Sequence, residues 1–111
     1  MEIQRTEEQF NALRQAERLL MVQFGSETCT PCTAIRRKLE EWLTGHPRVF
    51  GGYVPVEEAR ALSAQLGVFT VPTILVYAEG RLSARASGYF SLEDLLRQVE
   101  RYEALLFPEA Q

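Results

Sequence analysis

The sequence predicts an α/β protein: a mixed β-sheet of four to five strands sandwiched by four helices. Segments with apolar residues every three or four positions alternate with short apolar runs, which is the order of helices crossing between buried strands. Two late runs are separated only by Glu79-Gly80, too short for a crossover, so an antiparallel hairpin joins the parallel strands. At 111 residues the chain is near the usual size of one domain, and residues 1–111 are read as one.

Met1 to Gln4 account for the fifth strand of that range. Thr6 followed by Gln9 fits a capping box, and Phe10, Leu13 and Ala16 continue as an apolar stripe, giving a helix from about 7 to 17. Leu19-Leu20-Met21-Val22-Gln23-Phe24 is almost unbroken apolar sequence ending at Gly25, as expected of a strand covered on both faces. From Pro31 onward Ile35, Leu39, Trp42 and Leu43 share one helix face, and Gly45 with Pro47 closes the pattern, so a helix spans about 30 to 44.

Val49 to Val56 reads as a strand, and Gly51-Gly52 and Pro55 assign it an irregular or outlying place. Glu57 to Leu66 is a short helix capped by Gly67. Thr73 to Ala78 is the next strand, and Leu82, Ala84 and Ala86 alternate with polar residues in the second arm of the hairpin. Ser91 caps a last helix that buries Leu92, Leu95, Leu96, Val99, Tyr102 and Leu106.

Composition narrows the function. Hydrophobic residues at 46% and charged residues at 24% describe an ordinary globular chain with no disordered tract or repeat. A net charge of -3, from Lys+Arg 12 against Asp+Glu 15, offers no basic excess for a nucleic-acid backbone. Arg36, Arg37 and Lys38 are followed by Glu40 and Glu41, the mixed charge of a solvated helix face. The longest apolar run, Leu19 to Val22, is far below the ~20 residues of a membrane span. No positive n-region or apolar h-region opens the sequence, so a cytoplasmic protein is expected.

Both cysteines lie in Cys29-Thr30-Pro31-Cys32, between a buried strand and a helix. Zinc requires four ligands, and the single histidine, His46, lies at the far end of that helix, which leaves only a site shared between two chains. A purely structural disulfide here would close about four residues and remove little entropy from the unfolded chain. Redox chemistry accounts for the spacing. Cys29 at a helix N-terminus has its thiolate stabilised by unpaired N–H groups and the helix dipole, and Cys32 one turn on resolves a mixed disulfide. Pro31 suits the first helical turn, where its missing N–H is not needed. No bound cofactor is required.

Three landmarks in order resemble the thioredoxin superfamily over nearly the whole chain. They are Phe24-Gly25-Ser26-Glu27-Thr28-Cys29-Thr30-Pro31-Cys32, then Gly67-Val68-Phe69-Thr70-Val71-Pro72-Thr73, then Gly88 before the last helix. The resemblance implies a thiol-disulfide oxidoreductase, and one in which Pro72 is cis and faces the redox pair. From the residues alone Pro72 stays open, since cis is only ~5% of X-Pro bonds. The resemblance further implies that the Val71 backbone pairs with an extended substrate. Thr70, Phe69 and Tyr89 then belong to the substrate surface, with Phe69 and Tyr89 forming an apolar docking patch; Val68 and Phe90 lie nearby and read equally as core. Implied partners are disulfide-containing proteins and an external thiol reductant or reductase, acting on a monomer.

The sequence departs from that family at four positions. Typical thioredoxins carry tryptophan before the first cysteine, aspartate in the buried strand with lysine nearby, and glycine after the first cysteine. Thr28, Gln23, Tyr53 and Thr30 stand there instead. An amide does not titrate, so Gln23 is no base. Losing the acid and its cation together leaves neither charge buried alone, and Gln23 and Tyr53 are expected to hydrogen-bond in their place. Cys32 then deprotonates more slowly or through water, which makes a poorer general disulfide reductase. The Thr30 hydroxyl is expected beside the Cys29 thiolate, lowering its pKa and raising the reduction potential to between those of thioredoxin and the disulfide isomerases. Glu27 is expected in solvent, His46 to favour the helix C-terminus without a catalytic role, and Trp42 to be core.

A reading of another class stays alongside: an interaction module in which the cysteine pair is a redox latch or an intersubunit metal bridge.

Overall fold

The strand Leu19–Gly25 is buried at all seven residues, because apolar side chains leave both of its faces and helices cover each. In the computed structural model, which describes residues 1–110, this strand is β2 of a five-stranded sheet ordered β1-β3-β2-β4-β5. The other strands are β1 (Glu2–Ile3), β3 (Phe50–Pro55), β4 (Thr73–Ala78) and β5 (Arg81–Ser87). β1, β3 and β2 run parallel, while β4 is antiparallel to β2 and β5 antiparallel to β4. Four α-helices complete the fold: α1 (Glu7–Ala16), α2 (Thr30–Thr44), α3 (Arg60–Gln65) and α4 (Leu92–Leu106). The expected mixed sheet with four helices is therefore the fold, with five strands.

Side-chain alternation divides the core in two. Leu20, Val22 and Phe24 pack with Phe10 and Leu13 of α1 and Leu62 of α3. Leu19 and Met21 pack on the other face with Leu39 of α2 and Leu95 and Val99 of α4. Local signals set the helix ends: Thr6 and Gln9 cap each other at α1, and Ser91 Oγ accepts from the Asp94 N–H at α4. Glu79 and Gly80 both adopt positive φ at the hairpin turn.

Four expectations are corrected. β3 is not outlying, since it lies between β1 and β2. Its glycines permit that position: a Cβ on Gly51 would stand 2.4 Å from Leu43 Cδ1, and one on Gly52 2.5 Å from Gln4 Oε1. The helix read over 57–66 is broken into a 3-10 turn, Val56–Glu58, and α3, because Ala59 leaves helical geometry (φ -141°, ψ 49°). Leu82 does not share a face with Ala84 and Ala86. An irregularity between Val76 and Tyr77 makes Leu82 pair with Tyr77 while Ala84 pairs with Val76, so Leu82 takes the opposite face and is 53% exposed. Ala16 ends α1 in solvent rather than continuing its stripe.

Candidate functional site

The β2–α2 junction brings the cysteines together. Cys29 is the N-cap of α2 and Pro31 lies in its first turn, followed at once by Cys32. The two sulfurs are joined as a disulfide with Cα atoms 5.2 Å apart. Cys29 is partly exposed, whereas Cys32 is 1% exposed. Cys29 Sγ accepts a hydrogen bond from the Cys32 backbone N–H at 3.2 Å. That donor belongs to the first turn of the helix and is shared with the Cys29 carbonyl at 3.1 Å, and no acidic side chain occupies the first turn of α2 to oppose negative charge there.

Thr30 does not take the place expected of it. It is exposed, and the hydrogen bond on Cys29 Sγ comes from the backbone because the cap geometry already aims the Cys32 N–H at it. The Thr28 hydroxyl is 3.1 Å from Ser26 Oγ, and Ser26 donates in turn to Glu57 Oε2 at 2.6 Å. Glu27 is exposed, as expected.

Behind the disulfide, Gln23 is fully buried. Its Nε2 donates to the Cys32 carbonyl at 2.8 Å, and its Oε1 is buried without a partner. Tyr53 pairs with Gln23 across β3 and β2 and is roofed by the Arg36 guanidinium, 4.1 Å from the ring centroid. Burial pushes the Tyr53 hydroxyl above its ordinary pKa; the Arg36 charge opposes that rise and the Glu57 carboxylate adds to it.

The Val71–Pro72 peptide is cis. Pro72 is buried and its carbonyl accepts from the Gly88 N–H at 3.0 Å, while Thr73 Oγ1 donates to the Thr70 carbonyl at 2.7 Å. Pro31, Val71, Pro72 and Tyr89 line one groove beside the disulfide. Among the described residues, neither backbone group of Val71 has a hydrogen-bond partner. Phe69 and Tyr89 are both exposed, at 80% and 107%, and line different grooves. Val68 anchors its loop in the core, which turns Phe69 toward a separate groove with Ser26, Thr28 and Glu57. Phe90 is half-buried and packs on the α2–α4 core.

The sequence reading missed a polar clasp far from the cysteines. His46 Nδ1 is 2.9 Å from Glu103 Oε1, its Nε2 is 3.7 Å from Glu100 Oε2, and its ring stacks on Trp42 at 3.7 Å. The histidine thus ties the end of α2 to α4 rather than merely ending a helix, and Trp42 is half-buried beneath it. A signal was present: Glu103 continues the buried stripe of Leu95 and Val99 at four-residue spacing.

The comparisons with known proteins agree with this geometry. The chain is 27% identical over 95 residues to a thioredoxin of Alicyclobacillus acidocaldarius, covering 85% of this chain and 90% of that one. Among solved structures, thioredoxin of Fasciola hepatica superposes with a TM-score of 0.80 at 26% identity, covering 92% of this chain and 99% of the other. Plasmodium falciparum thioredoxin, at 24% identity and a TM-score of 0.83, covers 92% and 99% and shares the fold. The thioredoxin family model matches residues 2–101. With that match running from the first strand into the last helix and enclosing the cysteine pair, the chain belongs to the thioredoxin family.

Proposed function

We propose that the protein is a thiol-disulfide oxidoreductase that reduces disulfides in extended polypeptides, with Cys29 as attacking and Cys32 as resolving thiol. The observation that carries this is the asymmetry of the pair: one sulfur is reachable at a helix N-cap and the other is buried one turn on. In the reduced state the Cys29 thiolate is held by the Cys32 N–H and the helix dipole. It attacks a substrate disulfide, one substrate sulfur leaves as a thiolate, and a mixed disulfide remains. Cys32 then attacks Cys29 Sγ, closing the disulfide seen here and releasing the second substrate thiolate. The unpaired Val71 backbone and the groove along Pro31, Pro72 and Tyr89 give an extended segment a strand-like partner beside the sulfur. Both sulfurs belong to one chain, so a monomer suffices. An external thiol reductant or reductase restores the dithiol, and a cytoplasmic site of action would supply it, because thiols are kept reduced there.

Equilibration with defined thiol-disulfide buffers, followed by alkylation and mass analysis, tests the reading. The expected result is a reversible two-electron transition between about -280 and -180 mV, the span of thiol-disulfide exchange proteins. Failure to form the intramolecular disulfide, or formation of dimers only, would overturn it.

Gln23 makes the resolving step slow, because its amide holds the Cys32 carbonyl and takes no proton. Gln23→Asp is expected to speed resolution about tenfold or more by adding a general base. A buried carboxylate has its pKa raised by desolvation, so its stability contribution is full below the unfolded value and lost as pH rises through the folded one. The variant should therefore lose Tm relative to the parent between pH 5 and 8. Turnover equal to the parent's would refute the role given to Gln23.

A further inference from the structure

Gly25 lets Tyr53 and Cys32 close in on the backbone behind the disulfide, leaving no room for a side chain. A Cβ built there would stand 2.6 Å from Tyr53 Oη and 3.1 Å from Cys32 Cβ, so the hydroxyl and the resolving cysteine flank the same point. Cys32 and Arg36 are four residues apart on α2 and present one face to the sheet. Arg36 lies over the Tyr53 ring and fixes it there. Tyr53 is 7% exposed. The neighbouring Gln23 has already committed its N–H to the Cys32 carbonyl and offers only an unpartnered acceptor.

A sulfur at Cys32 that loses its proton in this buried place needs a hydrogen-bond donor. We propose that Tyr53 is a positioning residue for the resolving step: its hydroxyl donates, directly or through one water, to the Cys32 sulfur as the thiol ionises. The inference rests on the oxidoreductase reading above. The step is balanced without any further reagent. The Cys32 thiol gives its proton to water, its thiolate bonds to Cys29 Sγ, the bond from Cys29 Sγ to the substrate sulfur breaks, and the departing thiolate takes a proton from water. Tyr53 ends as it began. It acts as a donor rather than a base: burial holds the phenol neutral, and the Glu57 and Glu27 carboxylates reinforce this against the opposing Arg36 charge.

The test uses the reduced full chain and an aromatic chromogenic disulfide, 5,5′-dithiobis(2-nitrobenzoate), followed by stopped flow across pH. The parent should release two coloured thiolates, the first when Cys29 attacks and the second when Cys32 resolves. A parent that releases one and stops contradicts the oxidoreductase reading itself. Tyr53→Phe keeps the ring and removes only the hydroxyl. Its first phase should match the parent's, its second should slow about tenfold, and the midpoint of the second phase's pH profile should rise by about one unit, as expected for one hydrogen bond to a charged group. An unchanged second phase and pH midpoint, or equal slowing of both phases, overturns the proposal. Arg36→Met supplies a second reading if Tyr53→Phe does not fold. Loss of the roof should slow the second phase alone by severalfold, and an unaltered second phase again overturns the proposal.

Discussion

Cys29→Ser is expected to lower disulfide reduction by about three orders of magnitude or more, the scale for deleting a nucleophile. Serine at the N-cap still accepts the N–H of residue 32, so α2 keeps its cap and the fold survives. What disappears is the ionisable sulfur. Cys32 does not substitute for it, because its 1% exposure denies a substrate disulfide the in-line approach that exchange requires. Cys32→Ser has a different signature: the first exchange proceeds, resolution fails, and a covalent mixed disulfide accumulates. Turnover of a protein disulfide with a dithiol reductant measures the first effect, and intact-mass analysis the second. A double variant lacking both sulfurs yet retaining its partners would favour the interaction-module reading instead.

Phe10→Ala should destabilise the protein by about 3–5 kcal/mol, the cost of deleting a buried aromatic side chain and leaving a cavity. Phe10 is fully buried and meets Tyr77 edge-on, with ring centroids 5.4 Å apart. α1 has only ten residues and depends on this packing, since a helix so short is marginal by itself. Domains of ordinary stability have about 5–15 kcal/mol in hand, so the urea midpoint should fall steeply. The reduction potential should not move, because Phe10 packs on the sheet face opposite α2. A midpoint within about 1 kcal/mol of the parent, after multiplying by the denaturant slope, would refute the packing argument.

Features encoded within a few residues were legible in advance. Thr6 and Gln9, Pro31 between the cysteines, and Glu79-Gly80 each specify their structure through neighbours in the chain. The pairing of Cys29 with Cys32 at a helix start followed from where a strand gives way to a helix. Features that depend on what packs from across the molecule were not. Gly51 and Gly52 read as marks of an irregular or outlying strand, yet they let Leu43 and Gln4 close in on an interior one. Glu103 is held by His46, which comes from the end of another helix and from 57 residues away in the chain. Phe69 and Tyr89 are both apolar and near the cysteines in sequence logic, but the Val68 anchor sends them to different grooves. Thr30 was assigned a bond that the backbone already makes.

The irregular pairing at Val76 and Tyr77 bears on self-association. β5 is an edge strand, and an unpaired edge is a template on which a second molecule can add. Here the extra residue breaks the regular spacing of that edge, while Arg81 and Arg85 place cations along it. The opposite margin, β1, is only two residues long. The sheet therefore ends in one margin that is kinked and charged and another that is too short, which guards the protein against edge-to-edge aggregation.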